Sequence, residues 1–165
     1  MKITKLLFLF FFISAISFAQ KSPKKQAEGQ IQGVSIVIDY GSPSVKERVI
    51  WGKLVKYNKV WRAGANENTT FSFDKDVTIA GNTLPAGKYG FFIIPSEKGD
   101  WTIIFNNKND AWGHFSYKQK NDILRVPISP KHTNTNQEQL TYSVHENSIN
   151  FAWEKVEISI PITIK

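Results

Sequence analysis

The sequence contains no cysteine, which removes a disulfide framework, a thiolate nucleophile and a lipid anchor attached through cysteine behind an export signal. It has only three histidines, His114, His132 and His145, too widely spaced for a His-x-x-x-His zinc pattern. Asp74-Lys75-Asp76 lacks the further acidic and glycine positions of a calcium loop, so no metal site is expected. There is no Gly-x-Ser-x-Gly elbow to expose a serine nucleophile. A Gly-x-Gly-x-x-Gly fingerprint and a phosphate loop are also missing. Nicotinamide and nucleotide cofactors are therefore not expected, nor is any other cofactor.

Long apolar runs are absent outside the N-terminus, where MKITK precedes LLFLFFFISAIS. That run is shorter than the ~20 residues needed to cross a bilayer. It is followed by Ser17-Phe18-Ala19, with small residues where a signal peptidase reads. The pattern predicts a signal peptide over residues 1–19, a mature chain beginning at Gln20, and a periplasmic or secreted protein without stable membrane insertion. A total of 165 residues suits one domain. The formal charge of +7 includes Lys2 and Lys5, and the remaining lysines are scattered. The one dense group, Lys21, Lys24 and Lys25, reads as a solubilising tail, so no nucleic-acid partner is expected.

What the chain has in quantity is aromatic residues: twelve Phe, five Trp and five Tyr. These suit pleated, half-buried surfaces and point to an all-β core. Residues 20–30 show no apolar periodicity and read as a flexible lead-in, which leaves residues 31–165 as the domain. Alternation predicts strands at 34–40, 70–73, 77–79 and 89–94, then 101–105, 123–128, 140–145 and 149–153, and last 156–164. Residues 44–60 mix near-helical spacing with β-branched residues and read as irregular with short strands. Pro161 cannot donate to a ladder and belongs where no partner needs its N–H. Eight to ten short strands predict a single-domain antiparallel β-sandwich, jelly-roll-like, with a closed barrel as the alternative.

The stretch KVWRAGANENTTFSF, residues 59–73, concentrates the chemistry. Glu67 lies near Arg62, Asn66 and Asn68, and a neighbouring guanidinium would hold it ionised and suited to act as a base. Asp39, Asp110 or His114 would then be its partner. The competing reading is an Arg62–Glu67 ion pair that merely braces the loop. Trp51, Trp61 and Trp112 each stand beside a glycine or a polar residue, the mixture found in small-molecule pockets, while core packing is the alternative use for each. Trp101 and Trp153 alternate with their strands and read as core. Asn68-Thr69-Thr70 fits a glycosylation acceptor pattern that is common by chance.

The residues from SPSVKERVIWGKLVKYNKVWRAGANENTTFSFDKDVTIAGNTLPAGKYGFFIIP through WTIIFNN to DILRVPI resemble the DUF2911 family, exported bacterial proteins frequent in Bacteroidota and of undefined function. The resemblance covers nearly the whole mature chain. Its most specific part is WRAGANE, where the family pattern has threonine in place of Ala63 and matches Trp61, Arg62, Gly64, Asn66 and Glu67. The resemblance implies export and a single domain but no activity. The reading that results is a small-molecule or carbohydrate ligand held by Arg62 and Asn66 among Trp51, Trp61 and Trp112. One alternative is a metal-independent hydrolase or lyase with Glu67 as base and His114 as acid or orienter. The other is a structural domain in which the loop is only a brace.

Overall fold

The computed structural model describes residues 21–164, so the expected signal peptide lies outside the described residues. Ten strands form two antiparallel sheets. The first five are β1 (Lys24–Ile31), β2 (Val34–Gly41), β3 (Thr69–Phe73), β4 (Val77–Ile79) and β5 (Asn82–Leu84). The others are β6 (Gly87–Ile94), β7 (Trp101–Asn106), β8 (Asp122–Ile128), β9 (Lys131–Val144) and β10 (Ser148–Thr163). One sheet has the order β1-β2-β3-β6-β7-β8 and the other β5-β4-β10-β9. They do not close into a barrel, and the architecture is a β-sandwich.

Alternation places Ile36, Ile38, Phe71, Phe91, Ile103 and Phe105 of the larger sheet inside, against Phe151, Trp153, Val156 and Ile158 of β10. Burying each such large side chain contributes about 1.5–3 kcal/mol, so these rows supply the main drive for folding. Residues 44–60 are irregular, as expected. Isolated bridges at Ser44 and Trp51, and backbone hydrogen bonds from Val45 to Glu138 and from Asn58 to Pro95, tie them to the rest of the fold or to each other.

Three boundaries differ from the sequence reading. The supposed lead-in is β1, in which every residue from Lys24 to Ile31 pairs with β2. Its inward positions include Lys25 and Gly29, so hydrophobicity does not alternate even though burial does. A two-residue turn at Gln32 and Gly33, both with positive φ, joins the two strands as such hairpins require. Strand β9 begins at Lys131 rather than near Leu140, because its first half is exposed and polar and is held as a strand by backbone pairing to β10. The two predicted strands at 149–153 and 156–164 are one strand, β10. Glu154, at φ +56°, makes a bulge that moves the inward side from odd to even positions, so Trp153 and Val156 both reach the core. Pro161 lies where β10 passes from β9 to β4, outside both sets of paired residues.

Candidate functional site

Segment 61–68 leads from the irregular region into β3 and is fixed along its length. Trp61 exchanges two backbone hydrogen bonds with Ile93, at 2.8 and 2.9 Å. Ala63 is fully buried at φ +51°, and its carbonyl accepts hydrogen bonds from the Tyr142 hydroxyl at 2.8 Å and the Thr69 hydroxyl at 3.1 Å. Burial, and secondarily the neighbouring Tyr40, push the Tyr142 phenol well above its ordinary value, so it remains a donor. The Ala65 N–H donates to the Gly41 carbonyl at 3.1 Å. A Cβ at Gly41 would collide with the Ala65 carbonyl, so glycine is needed for that close approach. Asn66, at φ +64°, donates from Nδ2 to the Ser22 carbonyl and accepts from the Gly113 N–H, both at 3.0 Å. Glu67 bridges to Trp112, and the Asn68 N–H donates to the Ala111 carbonyl at 2.9 Å.

The segment separates two cavities. On the outer face of the six-stranded sheet is a cleft of about 310 Å³, whose walls include Asp39, Glu67, Asn68, Thr70, Lys88 and Trp112. Asp39 and Thr70 are register partners, and Thr70 is also paired with Gly90. The absence of a side chain at Gly90 lets the 107–111 loop lie across the sheet, because a Cβ there would strike the Lys108 carbonyl and come within 2.6 Å of Asn68 Nδ2. Asn68 Nδ2 donates to that same carbonyl at 2.9 Å, which leaves Asn68 Oδ1 buried without a partner. The Thr70 hydroxyl is likewise buried and unpaired. Burial alone would raise the Asp39 carboxyl, but hydrogen bonds from Gln26 (2.8 Å) and Lys88 (3.4 Å), with the lysine charges, hold it below its ordinary value. The Asp110 carboxyl is also held down, by Lys108 at 2.7 Å.

The other cavity is a groove of about 450 Å³ whose walls include Lys21, Arg48, Trp61, Arg62, Asn66 and His114. Arg62 is half-buried, and its Nε is out of contact with solvent and without an acceptor. Burial pulls its guanidinium below the ordinary value. The far end of Arg62 lies against Gly113, where an added Cβ would be 3.5 Å from Nη1.

The sequence-predicted residues are thus divided between two places. Glu67 and Trp112 face the cleft, whereas Arg62, Asn66, Trp61 and His114 face the groove. Arg62 and Glu67 do not form the expected brace. Neither is ion-paired among the described residues, because their side chains leave the segment toward different cavities. Glu67 and His114 are divided in the same way, and the His114 ring stacks on Phe115 with centroids 4.9 Å apart. Trp51 packs into an indole cluster, edge-on to Trp61 and Trp153 and 4.7 Å from Trp101 between centroids. Its flat face therefore serves the core.

Sequence reasoning missed Thr70 and Lys88 as cleft residues, and Asn68 was visible only as a neighbour of Glu67 and part of an acceptor pattern. The usable signal was alternation: Phe71 and Phe73 point inward, which sends Thr70 and Ser72 to the outer face. Asn68 is closed to glycosylation, since the Nδ2 that would carry a glycan is engaged and the residue is buried. Elsewhere, Ser143 Oγ and His145 Nε2 are 2.8 Å apart on the exposed end of β9, with no acid hydrogen-bonded to the ring among the described residues. A serine–histidine pair without an orienting third group lacks the arrangement that activates a nucleophile. Among the described residues no cluster of three or more His, Cys, Asp or Glu could hold a metal, and no helix is long and apolar enough to cross a membrane.

No curated protein and no solved structure matches the chain. The sequence profile of one family, described as Protein of unknown function (DUF2911), matches residues 22–162, from just before β1 almost to the end of β10. The chain therefore belongs to the DUF2911 family.

Proposed function

We propose that this protein binds a small uncharged polar ligand of saccharide type in the outer cleft, and does so outside the cytoplasm after export through residues 1–19. The observation that carries this reading is the pair of buried, unpaired oxygens in the cleft, Asn68 Oδ1 and Thr70 Oγ1. A polar atom removed from water without a partner costs about 1–3 kcal/mol, and a ligand hydroxyl would remove that cost. Hydroxyls suit the site because they both donate and accept. They can donate to Asn68 Oδ1 and to the carboxylates of Asp39 and Glu67, and accept from Lys88 or Thr70. The wall carries both signs of charge, with Lys24 and Lys88 among Asp39, Glu67 and Asp110, which favours a neutral ligand over an ion.

Trp112 is 55% exposed and offers a flat surface for the C–H face of a sugar ring. The Lys21 ammonium lies 4.8 Å from the Trp112 ring centroid and is itself exposed, so a ring could displace it into water at small cost. Hydrolysis with Glu67 as base needs a proton donor opposite it. The carboxyls of Asp39 and Asp110 are both held in the ionised form, so binding is better supported than turnover.

Calorimetric titration with neutral mono- and oligosaccharides tests the reading, with Thr70→Val and Trp112→Ala as variants. Each variant should weaken binding about tenfold, while Thr70→Val leaves stability unchanged or raised because the unpaired hydroxyl is gone. Equal affinity in all three proteins, or no saccharide bound by any of them, would sink the cleft as a sugar site.

A further inference from the structure

We propose that the groove on the other side of segment 61–68 is a separate binding site for a small organic carboxylate with an apolar body, and that Arg62 grips the carboxylate. Lys21, Arg48 and Arg62 line the groove together with His114, and no Asp or Glu does. The adjoining cavity beyond Lys21 and Arg48 adds Lys46 and again has no acidic wall residue.

The groups left unpaired in the groove are donors. Arg62 takes part in no ion pair among the described residues, and its Nε–H is buried without an acceptor. Trp153 lines the same groove at 1% exposure, and its indole N–H is also buried without an acceptor. A guanidinium that has lost part of its water at Nε and gained no counter-charge is held at a cost, and a carboxylate suits its planar fork of donors better than any neutral group. Arg48 is a different case, because Nε donates to the Val45 carbonyl at 3.0 Å and Nη2 to the Ser44 carbonyl at 2.6 Å. That arginine is held in place and contributes field, leaving Arg62 as the free fork.

Pro43, Leu54, Val55 and Trp61 give the groove an apolar side, and its volume of about 450 Å³ falls in the range of small-molecule pockets. Trp61 itself is held by stacking on Trp153, with centroids 5.6 Å apart and planes at 18°. The site shares Lys21 with the saccharide reading but uses neither Thr70 nor Trp112, so each can be tested without the other.

The test is titration of the purified protein with benzoate and hexanoate, followed by calorimetry and by quenching of tryptophan fluorescence, with benzamide as the uncharged match for benzoate. Benzoate should bind at least about tenfold more tightly than benzamide, and rising salt should narrow the gap. Arg62→Gln should abolish the difference, Arg62→Lys should restore part of it, and Thr70→Val should leave it intact. Without ligand, Arg62→Met should raise the melting temperature by about 2–4 °C, because it removes a half-buried charge that has no partner; an arginine kept for structure would give a fall instead. Equal binding of benzoate and benzamide to the native sequence would overturn the proposal without reference to any variant. So would an absence of carboxylate binding up to about 10 mM, or undiminished benzoate affinity in Arg62→Gln.

Discussion

The cleft and the groove share one stretch of chain yet differ in what they leave unpaired. In the cleft the orphaned atoms are the acceptor oxygen of Asn68 and the hydroxyl of Thr70, set among charges of both signs. In the groove they are N–H donors of Arg62 and Trp153, set among cations alone. A buried group without a partner exposes the chemistry of whatever would satisfy it, so the two sides select different ligands. The contrast depends on segment 61–68 turning Glu67 and Asn68 one way and Arg62 and Asn66 the other. The left-handed conformations at Ala63 and Asn66 bring about that turn.

The largest effect on both cavities comes from unseating the segment. Gly41→Ala drives a methyl group into the Ala65 carbonyl, while Gly90→Ala strikes the Lys108 carbonyl under the cleft loop. Each should cost about 3 kcal/mol or more in denaturant unfolding. Gly41→Ala should impair both sites, and Gly90→Ala the cleft alone. A milder change, Tyr142→Phe, removes the hydroxyl that donates to the Ala63 carbonyl at 2.8 Å but leaves the Thr69 bond in place. It should cost about 1 kcal/mol and loosen both cavities equally, as read by hydrogen exchange across segment 61–68.

The smallest effect separates the two sides by pH. The folded-state value of Asp39 is depressed below its ordinary 3.8. Its contribution is therefore fully present above 3.8 and is lost as the pH falls through the lower folded value. With Asp39 partly exposed the amount is no more than about 1 kcal/mol. Melting temperatures between about pH 5 and pH 2 should show a shallower acid decline in Asp39→Asn, while benzoate affinity measured at neutral pH is unchanged.

Much of the sandwich was legible because its core strands alternate cleanly: 34–40, 70–73 and 156–162 each place apolar residues at every second position. Strand β1 and the first half of β9 were illegible for the converse reason. Neither buries an apolar row, and each is kept as a strand by backbone hydrogen bonds to a neighbour that single-chain periodicity cannot reveal. Of the candidate site, Arg62, Asn66, Glu67 and Trp112 were recognisable as residue types. Their division between two cavities was not, since it follows from backbone signs at two residues that are not glycine.

By itself the sequence determined the all-β class, the inward faces of the main strands and the stretch in which functional groups gather, because these follow from local alternation and composition. Tertiary structure alone decided which groups share a cavity. Asp39, Thr70 and Lys88 come together through strand register, and Arg62 and Trp153 line one groove, at separations in sequence that no local pattern spans. Whether a polar atom is left unpaired is a property of everything packed around it, so the features that distinguish the cleft from the groove arise only when the chain has folded.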